Sequence, residues 1–277
     1  MNVKDTFAGK FSFLTGGSSG IGKALAVLLA RAGGSVAIMA RNEERLGQAK
    51  EEVAAVLGAN AFIETVQADA SDQEQVKGAL EDLISQRGVP DFLFNCVGAA
   101  EPGFIQDYAI EQFERAMKQD YFGYVVPTMQ LLPKFIERGS GHVVSISSVL
   151  GYLGIIGYGT YAPAKFAVIG FSEVLRHEMK PKGIHVSVAC PPDTDTPGFK
   201  TENEHKPEEC KMVSARGKVM QPEEVAQAIA EGVAKKQFLI LPGSAKFIFN
   251  MKRLSPSLVY NSIDGDLKKA MKKLGKR

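Results

Sequence analysis

The sequence predicts a single α/β domain built on a doubly wound, parallel, seven-stranded sheet with helices on both faces, a three-layer sandwich. Its 277 residues suffice for one full core and are few for two large domains. With 45% hydrophobic and 23% charged residues, the composition is that of a globular chain and unlike that of a disordered one. Short β-branched or apolar runs alternate with longer stretches of helical periodicity, the pattern of β–helix–β units whose parallel strands are covered on both sides.

Taken in order, strands are expected at FSFLT from residue 11, SVAIMA from 35, AFIETV from 61, DFLFNC from 91, HVVSIS from 142, HVSVAC from 185 and FLILP from 238. Helical periodicity fills 21–32, 43–57, 72–87 and 221–235. Asp72 stands where it would cap the third of these. Residues 108–138 predict one long helix, with Pro127 and Pro133 inside or near its end and expected to bend or stop it. Residues 191–220 are polar and rich in Pro, Thr, Glu and Lys, and predict a mobile loop beside a site. Residues 1–245 are expected to form the catalytic domain and 246–277 a basic appendage.

Composition also excludes several classes. A net charge of +2 gives no footing for nucleic-acid binding. Cys96, Cys190 and Cys210 are odd in number, and neither they nor His142, His177, His185 and His205 show metal-ligand spacing, so no disulfide framework and no metal are expected. MNVKDTFAGK lacks a secretory h-region and no run of about 18 apolar residues occurs, so a reducing, cytoplasmic setting is expected.

The first strand runs directly into Thr15-Gly16-Gly17-Ser18-Ser19-Gly20-Ile21-Gly22 and then into the helical stretch KALAVLLARAG. Glycines there permit a tight turn and let backbone N–H groups approach a pyrophosphate, which the positive end of the helix favours. Elsewhere such a cluster would be only a turn. In this strand–turn–helix setting it predicts a Rossmann-type dinucleotide site, with Gly16, Ser18, Ser19, Gly20 and Ile21 as contacts. An acidic residue would end the second strand of an NAD site, whereas here Ala40 is followed by Arg41, with Arg45 one turn on. A guanidinium there can pair with a 2′-phosphate, which favours NADP(H); the alternative is that both arginines are solvated surface charges. Asp69 closes the third strand, where it can accept a bond from an adenine amino group or help cap the next helix.

Beyond the fifth strand come Ser145-Ile146-Ser147-Ser148 and then Tyr161-Ala162-Pro163-Ala164-Lys165. Tyrosine and lysine four apart share a helix face, so the ammonium is expected to pull the phenol pKa down from about 10 and make Tyr161 a general acid. Ser148 can orient a carbonyl while a nicotinamide supplies hydride. Tyr158 is a decoy nearby, and Cys96 lacks a base that would make it a nucleophile.

In order and approximate spacing, TGGSSGIG at 15–22, NCVG at 95–98, Ser148, Tyr161 and Lys165 resemble the short-chain dehydrogenase/reductase family over residues 8–245. The resemblance implies catalytic roles for Ser148, Tyr161 and Lys165. It implies further that Lys165 and Tyr161 contact the cofactor, that Lys165 holds the nicotinamide ribose, and that Asn95 steadies the central strand. Where the family often has an asparagine completing a catalytic tetrad, this chain has Asp120, a candidate catalytic residue that can keep the asparagine's role through its backbone carbonyl and a water bound to the lysine, or whose charge can alter the titrations of Lys165 and Tyr161. Pro191 and Thr196, after the sixth strand, are taken as further cofactor contacts.

The string PPDTDTPGF at 191–199, with TENEHKPEE, ARNEERL and FERAM, is similar to the 3-ketodihydrosphingosine reductase branch of that family. That likeness implies NADPH-dependent reduction of a long-chain keto lipid, 3-dehydrosphinganine to sphinganine. Two other readings stay open: the same chemistry on a steroid, sugar or acyl-linked ketone, and a non-catalytic NADPH-binding regulator. KFIFNMKRLSPSLVY at 246–260 and the eight basic against two acidic residues of 251–277 suit peripheral contact with the cytosolic face of a membrane, or else a merely solvated tail. The long helices flanking the catalytic segment resemble those that pair in family dimers and tetramers, so a homo-oligomer is expected.

Overall fold

All seven expected strands form one parallel sheet in a computed structural model that describes residues 2–214 and 217–276. They are β1 (Phe11–Thr15), β2 (Ser35–Ala40), β3 (Ile63–Gln67), β4 (Phe92–Asn95), β5 (Gly141–Ile146), β6 (Ile184–Ala189) and β7 (Leu239–Ile240), in the spatial order β3-β2-β1-β4-β5-β6-β7. Every residue of β1 is buried, as a central parallel strand covered on both faces requires. Within it Phe13 and Leu14 point to opposite core layers, and each fully buried side chain of this size contributes about 1.5–3 kcal/mol.

One layer carries α1 (Val3–Phe7), α2 (Gly20–Arg31) and α3 (Glu43–Ala54), joined by α10 (Pro222–Ala234). The other carries α4 (Gln73–Arg87), α5 (Ile110–Met117), α6 (Gly123–Arg138) and α7 (Tyr161–Met179), with Leu131, Phe135 and Met179 at its centre. Asp72 caps α4, accepting from the Glu74 and Gln75 amides. Because the chain reverses direction of growth between β1 and β4, a crevice opens outside their carboxyl ends, the place where this architecture holds ligands.

Two expectations need correction. The helix expected over 108–138 is neither stopped by its prolines nor regular: α5 and α6 are joined by a π-turn at Lys118–Phe122, and α6 runs through both Pro127 and Pro133 before ending at Gly139. Each proline removes one backbone donor, and the burial of Leu131, Leu132 and Phe135 holds the helix against that loss. The segment 191–220, expected as a mobile loop, contains α8 (Pro197–His205) and α9 (Glu208–Ser214). Thr196 caps α8 and Pro197 occupies its first turn, a helix start hidden in a string that looks like loop composition.

The C-terminal segment forms α11 (Ala245–Leu254) and α12 (Pro256–Lys273). Phe249 packs edge-on against Tyr152, whose hydroxyl donates to the Ala245 carbonyl at 2.8 Å, and Val259 and Ile263 join the same cluster. Arg277 of the basic tail lies outside the described residues. No described helix is long and apolar enough to cross a membrane.

Candidate active site

A cleft of about 440 Å³ lies at the carboxyl ends of the strands, floored by the glycine loop and walled by the residues that follow β2, β3, β5 and β6. Gly16 turns in the left-handed region at φ +69°, and a Cβ there would lie 2.9 Å from the backbone of Cys96 and Val97. Only glycine allows β1 to leave the sheet so close to β4. Ser19 stands at the start of α2 without capping it through its side chain. Among the described residues no N-cap side chain takes up the first N–H groups of α2, which lie beside Gly16, Ser18, Gly20 and Ile21 lining the cleft, and that cradle fits a phosphate group.

At the far end, Arg41 is largely exposed and its guanidinium lies 3.9 Å from an Asp69 carboxylate oxygen. The other Asp69 oxygen accepts from the Ser71 amide at 2.9 Å and the Ser71 hydroxyl at 2.8 Å. Burial opposes the Asp69 charge, but those bonds and Arg41 outweigh it and leave the carboxyl below its ordinary value. Arg45 also lines this end, on α3, where Asn42 caps the helix by accepting from the Arg45 amide at 2.8 Å.

The reactive end gathers Ser148, Tyr161 and Lys165 from two elements, the turn after β5 and the start of α7. Ser148 follows β5, opening a 3₁₀ turn over Val149–Gly151 and accepting from the Leu150 amide at 3.1 Å. Tyr161 begins α7, and its phenol faces the Ser148 hydroxyl across the cleft. Lys165, one turn on, is 1% exposed. Its ammonium stands 5.4 Å from the Tyr161 ring centre but donates to the Tyr124 hydroxyl at 2.7 Å and to the Val97 and Ile146 carbonyls at 3.3 Å each.

That geometry corrects an expectation about the tyrosine. Burial pushes the Tyr161 phenol well above its ordinary value, the charges of Asp120, Glu202 and Asp193 push it the same way, and the Ser148 hydroxyl opposes them. Burial also lowers Lys165, against the raising effect of Asp120, Cys96 and Cys190. In the cofactor-free chain the lysine is bonded to Tyr124 and two carbonyls, and burial outweighs any lowering of the phenol.

Several expected residues stand back from the cleft wall. Asn95 is fully buried behind it, donating to the Thr128 hydroxyl at 3.0 Å while its amide oxygen has no partner among the described residues. Asp120 is fully buried in the π-turn, with one carboxylate oxygen accepting from the Ala99 amide at 3.0 Å and the other unpartnered among the described residues. Burial raises it to about 6, against the opposing influence of Lys165 and the Ala99 amide. Pro191 and Thr196 do line the cleft. The Thr196 hydroxyl is committed to the Phe199 amide at 3.1 Å, and the Pro191 carbonyl to the Val149 amide at 3.0 Å.

Other side chains enter that sequence reasoning left without a role. Glu202, on α8, accepts from the Tyr158 hydroxyl and lies 3.0 Å from the Lys206 ammonium, itself 1% exposed. With Asp193 it lines the cleft near Tyr161, Asp193 within PPDTDTPGF and Glu202 within TENEHKPEE. Tyr124 was missed altogether, although it stands one helical turn beyond Asp120. Cys96 lines the cleft, and burial lifts its thiol to about 12, the wrong direction for a nucleophile. His142 is a core residue pairing with the Ser187 hydroxyl at 2.8 Å.

Comparison with known proteins adds a family. The short chain dehydrogenase family model matches residues 10–207. The chain belongs to the short-chain dehydrogenase family. As an oxidoreductase of that family it uses a nicotinamide cofactor, which the uncapped helix start and glycine cradle fit. Among similar short-chain dehydrogenases, 3-dehydrosphinganine reductase of Danio rerio is 38% identical over 227 residues, 81% of this chain and 68% of that one. The 3-ketodihydrosphingosine reductase of Bos taurus is 36% identical over 91% of this chain and 76% of its own length, and that of Dictyostelium discoideum 35% over 96% and 90%. The crystal structure of levodione reductase, 24% identical, superposes with a TM-score of 0.78 over 86% of this chain and 98% of that one, a likeness of fold.

Proposed function

We propose that this short-chain dehydrogenase reduces a long-chain 2-amino ketone, 3-dehydrosphinganine, to sphinganine with NADPH. What carries the reading is the likeness, across 81–96% of the chain, to proteins named for that ketone. Support for the chemistry comes from the meeting of Ser148 and Tyr161 hydroxyls above a buried lysine at the end of a dinucleotide cleft.

When bound, the nicotinamide supplies hydride to the carbonyl carbon. Ser148 donates to the carbonyl oxygen and orients it, and Tyr161 delivers the proton to that oxygen as it becomes an alkoxide. A phenol held above its ordinary pKa is fully protonated at neutral pH, the form a proton donor needs. Lys165 compensates the negative charge left on the tyrosine. Arg41, exposed beside Asp69, is the group to receive a 2′-phosphate, and this argues for NADPH over NADH. Asp69 has an acceptor oxygen near that end for an adenine amino group.

The reading extends to how the lipid arrives. Phe247, Leu254, Leu258 and Tyr260 are exposed on α11 and α12, flanked by exposed Lys246 and Arg253. A surface both apolar and basic suits reversible contact with an anionic bilayer, and α11 lies against the turn that follows Ser148.

The test is NADPH oxidation with detergent-dispersed 3-ketosphinganine, run beside NADH and a short cyclic ketone. Rapid NADPH-specific turnover of the lipid is expected. Turnover of the short ketone alone would keep the reductase and discard the sphingoid substrate.

A further inference from the structure

Lys165 is buried, yet it has a complete set of acceptors before any ligand arrives: one bond of 2.7 Å to the Tyr124 hydroxyl and two of 3.3 Å to backbone carbonyls. An ammonium has three protons, so these three acceptors saturate it. The short bond is to a side chain that is itself fixed. Tyr124 is fully buried on α6, and its hydroxyl reaches the Val97 and Ile146 carbonyls. One hydroxyl proton serves those carbonyls in turn, while the oxygen lone pairs face the lysine. The Tyr124 ring also stands under the ammonium, with its centre 4.6 Å away.

Asp120 approaches the same ammonium from the π-turn. A Cβ on Gly98 would lie 2.7 Å from the Lys165 nitrogen and 3.1 Å from an Asp120 oxygen, so the bare glycine leaves the space across which the two charges face each other. The second Asp120 oxygen is buried and unpartnered among the described residues. A π-turn adds a residue to the helix and changes which side chains face the sheet. Here it directs Asp120 at Gly98 and, one turn later, Tyr124 at Lys165.

We propose that Tyr124 is a positioning residue for the reduction, holding the Lys165 ammonium on its hydroxyl while Asp120 supplies the counter-charge. Lys165 pivots on its one short bond. The two longer carbonyl bonds are the ones it exchanges when a cofactor hydroxyl or the Tyr161 phenolate needs an N–H, so the lysine stays charged and in place through the cycle. The groups facing it are Asp120 from the π-turn, Cys96 after β4, Cys190 after β6, Tyr124 on α6 and Tyr161 on its own helix. Those facing Tyr161 are Asp120, Glu202, Asp193 and Ser148.

The inference rests on the reductase reading, and its test separates the two. Tyr124→Phe keeps the ring that fills the core and deletes the hydroxyl alone. With a ketone that the unaltered enzyme reduces, kcat is expected to fall about tenfold with KM nearly unchanged, and the alkaline limb of the kcat profile to move about one unit to lower pH, a tenfold change in proton affinity. In the cofactor-free protein, NMR of lysine labelled at the ε-carbon should show Lys165 losing its proton at lower pH than in the unaltered chain. An unchanged pH profile with an unchanged Lys165 titration would overturn the proposal, whatever happened to kcat or the melting temperature. If Tyr124→Phe does not fold, Asp120→Asn carries the test: it should move both readouts in the same direction, and constancy of both would overturn it. Failure of the unaltered enzyme to reduce any ketone would instead sink the reductase reading, while the lysine titration would still report on Tyr124.

Discussion

Tyr161 and Arg41 mark opposite ends of one cleft, and their substitution should fail in opposite ways. Tyr161→Phe removes the proton donor and leaves the cofactor's phosphate cradle intact. Turnover is expected to fall roughly 10²–10⁴-fold, measured as NADPH oxidation, while NADPH affinity measured by fluorescence stays within a small factor. Arg41→Ala should do the reverse, weakening NADPH binding by about 1.5–3 kcal/mol and leaving NADH binding unchanged. Equal losses for both cofactors would show that Arg41 does not read the 2′-phosphate. At this scale the sequence was informative where a residue type, its spacing and its element agreed: the glycine loop after β1, Arg41 after β2 and Tyr161 with Lys165 on α7 all reach the cleft. It was uninformative about direction of influence. The i, i+4 pairing pointed Lys165 at Tyr161, whereas packing turned the ammonium to Tyr124 on another helix, and no local rule reaches that far.

Elements were legible where hydrophobic period was strong. All seven strands were expected, each within two residues of its observed start, because short β-branched or apolar runs bounded by helical stretches mark them, most strongly in the strands buried on both faces. The π-turn at Lys118–Phe122 was not legible, since one extra residue in a helix leaves the composition unchanged. Nor were α8 and α9, whose polar residues are stabilised by Thr196 at the cap and by contacts with α12 that lie far off in sequence. The core side of α6 can be tested directly. Phe135 is fully buried in the layer between α4, α6 and α7, and Phe135→Ala should cost about 3–5 kcal/mol in urea unfolding. The exposed side of α11 invites a different experiment. Phe247→Asp with Leu254→Asp should reduce co-sedimentation with anionic vesicles and spare turnover of a short ketone; undiminished vesicle binding would remove α11 and α12 from the account.

Across the whole molecule, buried ionisable groups set how stability responds to acid. His142 is lowered to about 3 by burial, with His185 and Lys236 adding to the effect. Its unfolded form takes a proton near 6.5, so stability is fully present above that pH and is lost progressively as pH drops toward 3. Asp120 acts against this: raised to about 6, it binds a proton in the folded state before the unfolded one does, and adds stability as pH falls from about 6 toward its ordinary value. Asp120→Asn should therefore steepen the acid loss between about pH 6 and 4 in thermal melts. Association is expected as well, because Phe122, Met129, Phe166 and Val174 leave apolar surface on the π-turn, α6 and α7; a sedimentation mass of one chain would contradict it. The most direct test of the central claim is product analysis: purified enzyme, NADPH and 3-ketosphinganine, with the alcohol formed and the NADPH consumed both quantified by mass spectrometry and absorbance. The account expects one sphinganine per NADPH from the unaltered chain and essentially none from Tyr161→Phe. NADPH consumption without sphinganine, or equal product from the Tyr161→Phe enzyme, would contradict it.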